Sequence, residues 1–228
     1  MKSKRLRGFT LVELLVVISI VAVLAALAFG LSAKAINGAQ KAVCISNFRG
    51  IGNGIVMYAT ENNSRLPGPL NTGQNAQYNG DYNSTPKGST PALATYIAQY
   101  MQGPIERPAG KAVALANFGC PSLTKRINKG TSQEFPMLYR MQGSGLKKID
   151  GTKGEPWGYP VVGAPRIPWR MDEIDPVSAG RVIAMIEQDN TMVPNPWGNA
   201  AAGPAHGKQR MAMYFDWSVQ PVNAADWK

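Results

Sequence analysis

The sequence predicts an α+β fold. A long N-terminal α-helix, transmembrane over its first half, packs on a C-terminal head built around a small antiparallel β-sheet. Three observations carry this. From Leu14 to Leu31 only Ser19 and Gly30 interrupt an apolar run of 18 residues. Ile36, Val43, Phe48, Ile51, Ile55 and Tyr58 then continue near one face at helical spacing. Beyond Leu66, where all 17 prolines and all 5 tryptophans lie, short apolar, β-branched stretches alternate with turn-rich ones.

The first element is the helix. With residues 9–13 added, the apolar run gives ~34 Å of helix, against about 30 Å for a bilayer core. Lys2, Lys4, Arg5 and Arg7 stand directly before it with no acid among them. The positive-inside rule therefore puts the N-terminus in the cytoplasm and everything after Leu31 outside. Four segments follow: a basic leader at 1–8, a transmembrane helix at 9–33, its amphipathic continuation at 34–62 and an extracytoplasmic head at 63–228. Lys34, Gln40, Lys41, Asn47 and Arg49 occupy the polar face of the continuation. Gly50, Gly52 and Gly54 each cost up to about 1 kcal/mol relative to Ala, and close packing on the sheet accounts for them.

In the head, residues 71–90 read as a surface loop. Residues 90–101 read as a short helix, with Thr90 as N-cap, Pro91 in the first turn and Gly103 beyond its end. Residues 118–122 read as a strand end and turn, and 135–141 and 181–186 as strands. Residues 210–215 and 218–222 read as a hairpin around Asp216-Trp217. The segments 143–169 and 193–207 read as long loops whose tryptophans pin them to the sheet. An exposed, sugar-binding tryptophan surface is the alternative.

Composition excludes several functions. The net charge is +10, from 24 basic and 14 acidic residues, but 4 of the basic residues fall in the first eight and the rest are scattered. No basic stripe interleaved with aromatics is present to follow phosphates, so no nucleic-acid partner is expected. One His and two Cys argue against a multi-cysteine zinc site or a disulfide-dense scaffold. A His-dependent hydrolase would have to use His206, with Asp216 or Glu187, and no nucleophile-elbow or metal-protease motif accompanies it.

Glu13 does not fit a simple anchor. A carboxylate inside an apolar helix costs a few kcal/mol and calls for a partner, unless it stays wet at the interface. A cut between Gly8 and Phe9 would supply one, because the new α-amino group at Phe9 could pair with Glu13 of a neighbouring subunit.

The run Arg7-Gly8-Phe9-Thr10-Leu11-Val12-Glu13-Leu14 resembles the prepilin signal of type IV pilins and type II secretion pseudopilins. That signal is a basic leader ending in Gly, then an aromatic residue, then a Glu five residues into the mature chain and an apolar helix. The resemblance implies a pilin-like fold and processing by an inner-membrane prepilin peptidase that cuts after Gly8 and methylates Phe9. It also implies assembly through Glu13 with other pilin or pseudopilin subunits on an inner-membrane platform. An ordinary secretory signal cut after the Ala-rich stretch at 22–28 would not explain Glu13. Gly30 stands where many pilins place a helix-breaking Pro, so the usual cause of local melting is absent.

Two further motifs add to this. Cys44-Ile-Ser-Asn-Phe-Arg49, followed by a polar turn and Pro67, resembles a bacterial group of pilin-like proteins. His206 and Asp216, with nine residues between them, resemble the His-x9-Asp-Gly motif of a processing-associated prepilin group. Trp217 replaces its Gly. A Gly there would permit a tight turn with positive φ that Trp adopts only at a cost, so the hairpin is expected to differ.

Outside the cytoplasm a Cys44–Cys120 disulfide is one reading and two buried thiols the other. His206 is read as a structural histidine in a loop. No cofactor is expected; Ca²⁺ held by Glu187, Asp189 and Asp216 is the alternative. The sequence thus reads as a non-enzymatic, pilin-like filament subunit of a type IV pilus or type II secretion pseudopilus. It would be single-pass in the inner membrane, in contact with lipid, and then part of a periplasmic or surface filament. The alternative is a membrane-anchored binding domain, for carbohydrate, that never polymerises.

Overall fold

The structure is a computed structural model that describes residues 9–79, 92–103, 112–115, 117–124, 126–127, 137–140, 143–160, 165–192 and 201–226; of residues 27–34, 75, 77–79, 112, 113, 137, 139 and 140 it describes the backbone alone. The chain divides into two units, Met1–Gln40 and Lys41–Lys228. Helix α1, Leu11–Glu61, runs through both without a break, as expected of a chain with no Pro before Pro67.

In the first unit, α1 is apolar all round. The large apolar side chains from Phe9 to Leu24 are 47–80% exposed. Among the described residues no helix is long and apolar enough to cross a membrane. The described side chains of the apolar stretch run from Leu11 to Ala26, with Glu13 among them, so the span expected over 9–33 extends beyond them.

In the second unit, Cys44, Phe48, Ile51, Ile55 and Ala59 form a fully buried stripe along α1. The spacing of three and four keeps these residues on one face. The expected face is shifted: Val43 is 47% exposed and Ile36, in the first unit, 56%. The small residues Cys44 and Ala59 take the inward positions because they let the helix approach closely. Gly52 and Gly54 serve the same end. A Cβ on Gly54 would lie 3.2 Å from Met101 Cγ and 3.3 Å from Ile97 Cβ, and one on Gly52 would lie 3.3 Å from Met213 Sδ.

The chain then forms β1 (Gly73–Asn75), β2 (Gln77–Asn79) and helix α2 (Leu93–Ile97), which continues as a 3₁₀ turn over Ala98–Met101. Thr90 and Pro91 lie outside the described residues. The helix starts from Ala92 without a side-chain cap, and the Leu93 amide donates to Gln74 Oε1 instead. Gln102, not Gly103, takes the left-handed position at its end. Next come β3 (Ala112–Ala114), the single-turn helix α3 (Pro121–Thr124), β4 (Met137–Arg140) and helix α4 (Pro176–Ala179). Residues 121 and 122 are therefore helical rather than turn. Strands β5 (Ile183–Glu187), β6 (Gln209–Tyr214) and β7 (Val219–Asn223) complete the chain.

Among the described residues the strands make a five-stranded sheet, ordered β1-β4-β5-β6-β7 and antiparallel throughout, and a separate β2-β3 pair. The fold is α+β. Period-two alternation sorts the sheet residues, except at the register shift between Ile183 and Met185. Met185, Met211 and Met213 join the core that contains Phe48 and Ile51, while Ile186 and Ala212 join a second cluster with Ile183 and Met192.

The long loop over 143–169 is pinned by tryptophan. Trp157 is fully buried and packs on Phe215 at 5.5 Å between ring centroids and edge-on to Trp217 at 6.5 Å. Trp169 is buried as well, and its amide and carbonyl hold Pro156 and Leu66. Trp217 is half-buried, and Trp197, in the loop expected over 193–207, lies outside the described residues, as does Trp227.

The β6–β7 hairpin departs from its sequence expectation. Tyr214 N–H donates to Ser218 O at 2.9 Å and Trp217 N–H to Tyr214 O at 3.0 Å, closing a three-residue loop. Trp217 adopts φ +66°, the conformation a Gly would take there. The turn is kept despite the larger residue because the Trp217 ring is held between Gly52 and Trp157.

Candidate functional site

The first candidate site is the start of α1. Thr10 precedes the helix, and Glu13 lies in its first turn. Glu13 N–H donates to Thr10 Oγ1 at 3.3 Å, and Glu13 Oε2 accepts from Thr10 N–H and from Thr10 Oγ1–H, both at 2.8 Å. This is a reciprocal capping box, which satisfies amides that the first helical turn otherwise leaves unpaired. The Thr-x-x-Glu spacing before an apolar run was the sequence signal for it. Both returned bonds use Oε2. Phe9 is exposed beside the box, and Gly8 and the rest of the leader lie outside the described residues.

The arrangement joins an exposed aromatic residue at position 9, an acid locked at the mouth of the helix and an uncovered apolar rod behind it. Residues 3–29 match the family model of the prokaryotic N-terminal methylation motif. This is the prepilin-type signal of type IV pilins and pseudopilins. The prepilin-type motif implies processing by a prepilin peptidase and assembly with other pilin-type subunits, and it points to a membrane-anchored envelope protein. Proteins built on it are structural subunits rather than enzymes. No curated protein and no solved structure matches the chain.

The second candidate site lies in the second unit, where α1, α3 and the end of the sheet meet. Cys44 on α1 and Cys120, just before α3, form a disulfide across 76 residues of sequence, with their Cα atoms 4.6 Å apart. The spacing of the Cys44-Ile-Ser-Asn-Phe motif now has a physical reason. Asn47, one turn from Cys44, donates from Nδ2 to Gly119 O at 2.8 Å and so fixes the residue preceding Cys120, while Phe48 fills the core. Sequence reasoning gave Asn47 only a place on the polar face.

His206 Nε2 lies 3.3 Å from Cys120 Sγ. Burial first, and then the charges of Lys41 and Arg126, hold the imidazole below its usual range. Lys41 donates to Gln209 Oε1 at 2.8 Å, and Arg126 to Pro204 O at 2.7 Å. Glu187 follows Met185 on the face of β5 turned toward this cystine. It is fully buried, and Oε2 accepts from Met211 N–H at 2.8 Å. Burial pushes its carboxyl up to about 8. Sulfur, imidazole nitrogen and carboxylate oxygen from Cys44, Cys120, His206 and Glu187 all lie within 4.8 Å of one another.

Two residues away, Asp189 meets Arg210 in a fully buried ion pair. Arg210 Nε donates to Asp189 Oδ2 at 2.6 Å and Nη2 to Oδ1 at 3.0 Å. Arg210 also donates to Thr191 Oγ1 at 2.9 Å and to Ala224 O at 3.1 Å. Burial pushes the Asp189 carboxyl up, but the bonds from Arg210 and Thr191 outweigh it and leave it below the usual range. No signal in the sequence paired Arg210, which read as an ordinary strand residue.

The alternative cluster of Glu187, Asp189 and Asp216 about His206 is not formed. Asp189 is committed to Arg210. Asp216 sits in the hairpin turn, where Oδ1 accepts from Ser218 N–H at 2.9 Å. It stands five residues beyond Met211, ~17 Å along the strand. The three carboxylates therefore do not converge on a Ca²⁺, and His206 and Asp216 do not form a hydrolytic pair. The two motif residues serve different ends of the hairpin: His206 packs on the cystine and Asp216 closes the turn.

Proposed function

We propose that this chain is a pilin-like structural subunit, cut between Gly8 and Phe9, methylated on the new amine and assembled into a filament through the first part of α1. The observation that carries this reading is the uncovered apolar helix within the prepilin-type motif. A helix that is apolar on every side needs an apolar surrounding. Lipid supplies it while the chain waits in the inner membrane, with Lys2, Lys4, Arg5 and Arg7 on the cytoplasmic side. The helices of neighbouring subunits supply it in the filament.

Glu13 gives the packing its register. Its capping box occupies Oε2 and orients the carboxylate at the helix mouth, so that the Phe9 amine of the next subunit meets an acid already fixed in place. An ion pair formed away from water is strong and intolerant of misplacement, and a mismatched neighbour leaves a buried charge unpaired. The residues 41–228 then determine what the filament presents.

The test is Glu13→Gln, which keeps shape and removes charge. Peptidase processing should continue, while recovery of the subunit in sheared filaments should fall at least tenfold beside wild type. Equal recovery of the variant and the wild type would contradict the assembly role.

A further inference from the structure

The cystine is surrounded by metal ligands. Two sulfurs, one imidazole nitrogen and one carboxylate oxygen lie within 4.8 Å of one another, from residues far apart in sequence. Ligand atoms around a tetrahedral Zn²⁺ stand about 3.3–3.8 Å apart. The His206 Nε2 to Cys120 Sγ distance of 3.3 Å already fits that spacing. A second observation points the same way. Glu187 Oε1 is buried without a hydrogen-bond partner among the described residues, an uncommon state for a carboxylate oxygen.

We propose that, with their disulfide opened, Cys44 and Cys120 join His206 and Glu187 in a buried Zn²⁺ site, so that this position holds either a disulfide or a metal. Two cysteines are too few for an all-cysteine site, but the fold completes the set with one nitrogen and one oxygen. Two thiolates and an imidazole select Zn²⁺ over the hard cations Mg²⁺ and Ca²⁺. Either occupant ties α1 to the segment before α3, which lets the subunit keep its fold on both sides of a redox boundary. The inference does not depend on filament assembly.

Opening the disulfide takes two electrons. A phosphine supplies them: phosphorus is oxidised to the phosphine oxide, taking its oxygen from water, and the two protons of that water go to the sulfurs. Zn²⁺ then displaces both thiol protons, and the proton that Glu187 holds below about pH 8, into solvent.

The test uses the full chain in detergent, with Co²⁺ as a spectroscopic probe. After reduction by a phosphine, one equivalent of Co²⁺ should give the visible bands of a tetrahedral site with thiolate charge transfer, and Zn²⁺ should bleach them. The unreduced chain should give neither. His206→Ala and Glu187→Gln should each weaken Co²⁺ binding at least tenfold with both thiols still present, and Cys44→Ser, which leaves one thiolate, should reduce the charge-transfer band by about half or more. Near-UV circular dichroism checks that each variant is folded. A reduced chain that loses structure should regain it with Zn²⁺. Failure of the reduced chain to take up Co²⁺, failure of Zn²⁺ to restore a lost fold, or unchanged affinity in both His206→Ala and Glu187→Gln would overturn the proposal.

Discussion

Thr10 and Glu13 hold each other at the mouth of α1, the hydroxyl accepting from the Glu13 amide while the carboxylate accepts from the Thr10 amide and hydroxyl. Glu13, which lies inside the methylation motif, thus has a local task before any partner arrives. This separates two contributions that a Glu13 variant alone would confound. Thr10→Ala should cost the helix end ~1 kcal/mol and speed amide exchange over residues 11–14, yet leave subunits in the filament. Glu13→Gln should do the reverse in weight, with a modest effect on exchange and a large one on assembly. Equal assembly defects in the two variants would mean that capping alone is the role of Glu13.

The disulfide closes a long loop. Reduction, or Cys44→Ser, should lower the stability of the second unit by about 2–5 kcal/mol in metal-free buffer, through the entropy returned to the unfolded chain. Thermal unfolding followed by circular dichroism, with and without reductant, reads this as a drop of ~10 °C. An unchanged midpoint would mean that packing along Phe48, Ile51 and Ile55 suffices.

Glu187 makes stability depend on pH. Its folded carboxyl titrates at about 8 against 4.5 for the ordinary group. Between those values the folded state holds a proton that the unfolded state has released. The stabilising contribution is full below pH 4.5 and is lost as pH rises toward 8, at up to ~1.4 kcal/mol per unit. His206, held below its usual range, acts in the opposite sense, so wild type is compared with Glu187→Gln, which keeps the imidazole. The difference in urea midpoint between the two proteins should therefore shift toward the variant as pH rises from 5 to 8. A difference that stays constant with pH would show that Glu187 remains ionised.

Asp189 and Arg210 should behave as a unit. Asp189→Asn leaves a buried guanidinium without its counter-charge and should cost about 3–5 kcal/mol. Arg210→Met should cost a similar amount, and the double variant less than the sum of the two, as read by urea denaturation in a double-mutant cycle. Additive losses would mean that the two charges are solvated independently.

Trp217 sets strain against packing. Trp217→Gly relieves ~1 kcal/mol of left-handed backbone strain but removes an aromatic ring that packs on Trp157 and Gly52. The net effect should be destabilising by ~1–2 kcal/mol, seen as a lower urea midpoint. A higher midpoint would show that strain dominates the turn.

These cases mark what the sequence disclosed. The long helix, the β5 and β6–β7 strands and the pinning role of Trp157 were legible because they follow from periodicity and side-chain size, which are local properties. The inward face of α1 was drawn one position off, because hydrophobicity ranked Val43 above Cys44 whereas close approach rewards the smaller residue. The Trp217 turn was misjudged for a related reason: local strain is visible in sequence, and the long-range packing that offsets it is not. The Arg210–Asp189 pair and the cystine–His206–Glu187 cluster depend on strand register and on a contact across 86 residues between Cys120 and His206. No spacing rule encodes these. The capping box at Thr10 was fully encoded, and was hidden only by the stronger signal of the motif around it.

The central claim is that this chain matures as a prepilin, and the most direct measurement is the intact mass of the protein extracted from its native envelope, with fragmentation of its N-terminus. A chain that begins at Phe9, lighter by the leader 1–8 and heavier by one methyl group, is the result this account predicts. A chain that still begins at Met1, or one cut after the Ala-rich stretch at 22–28, would contradict it.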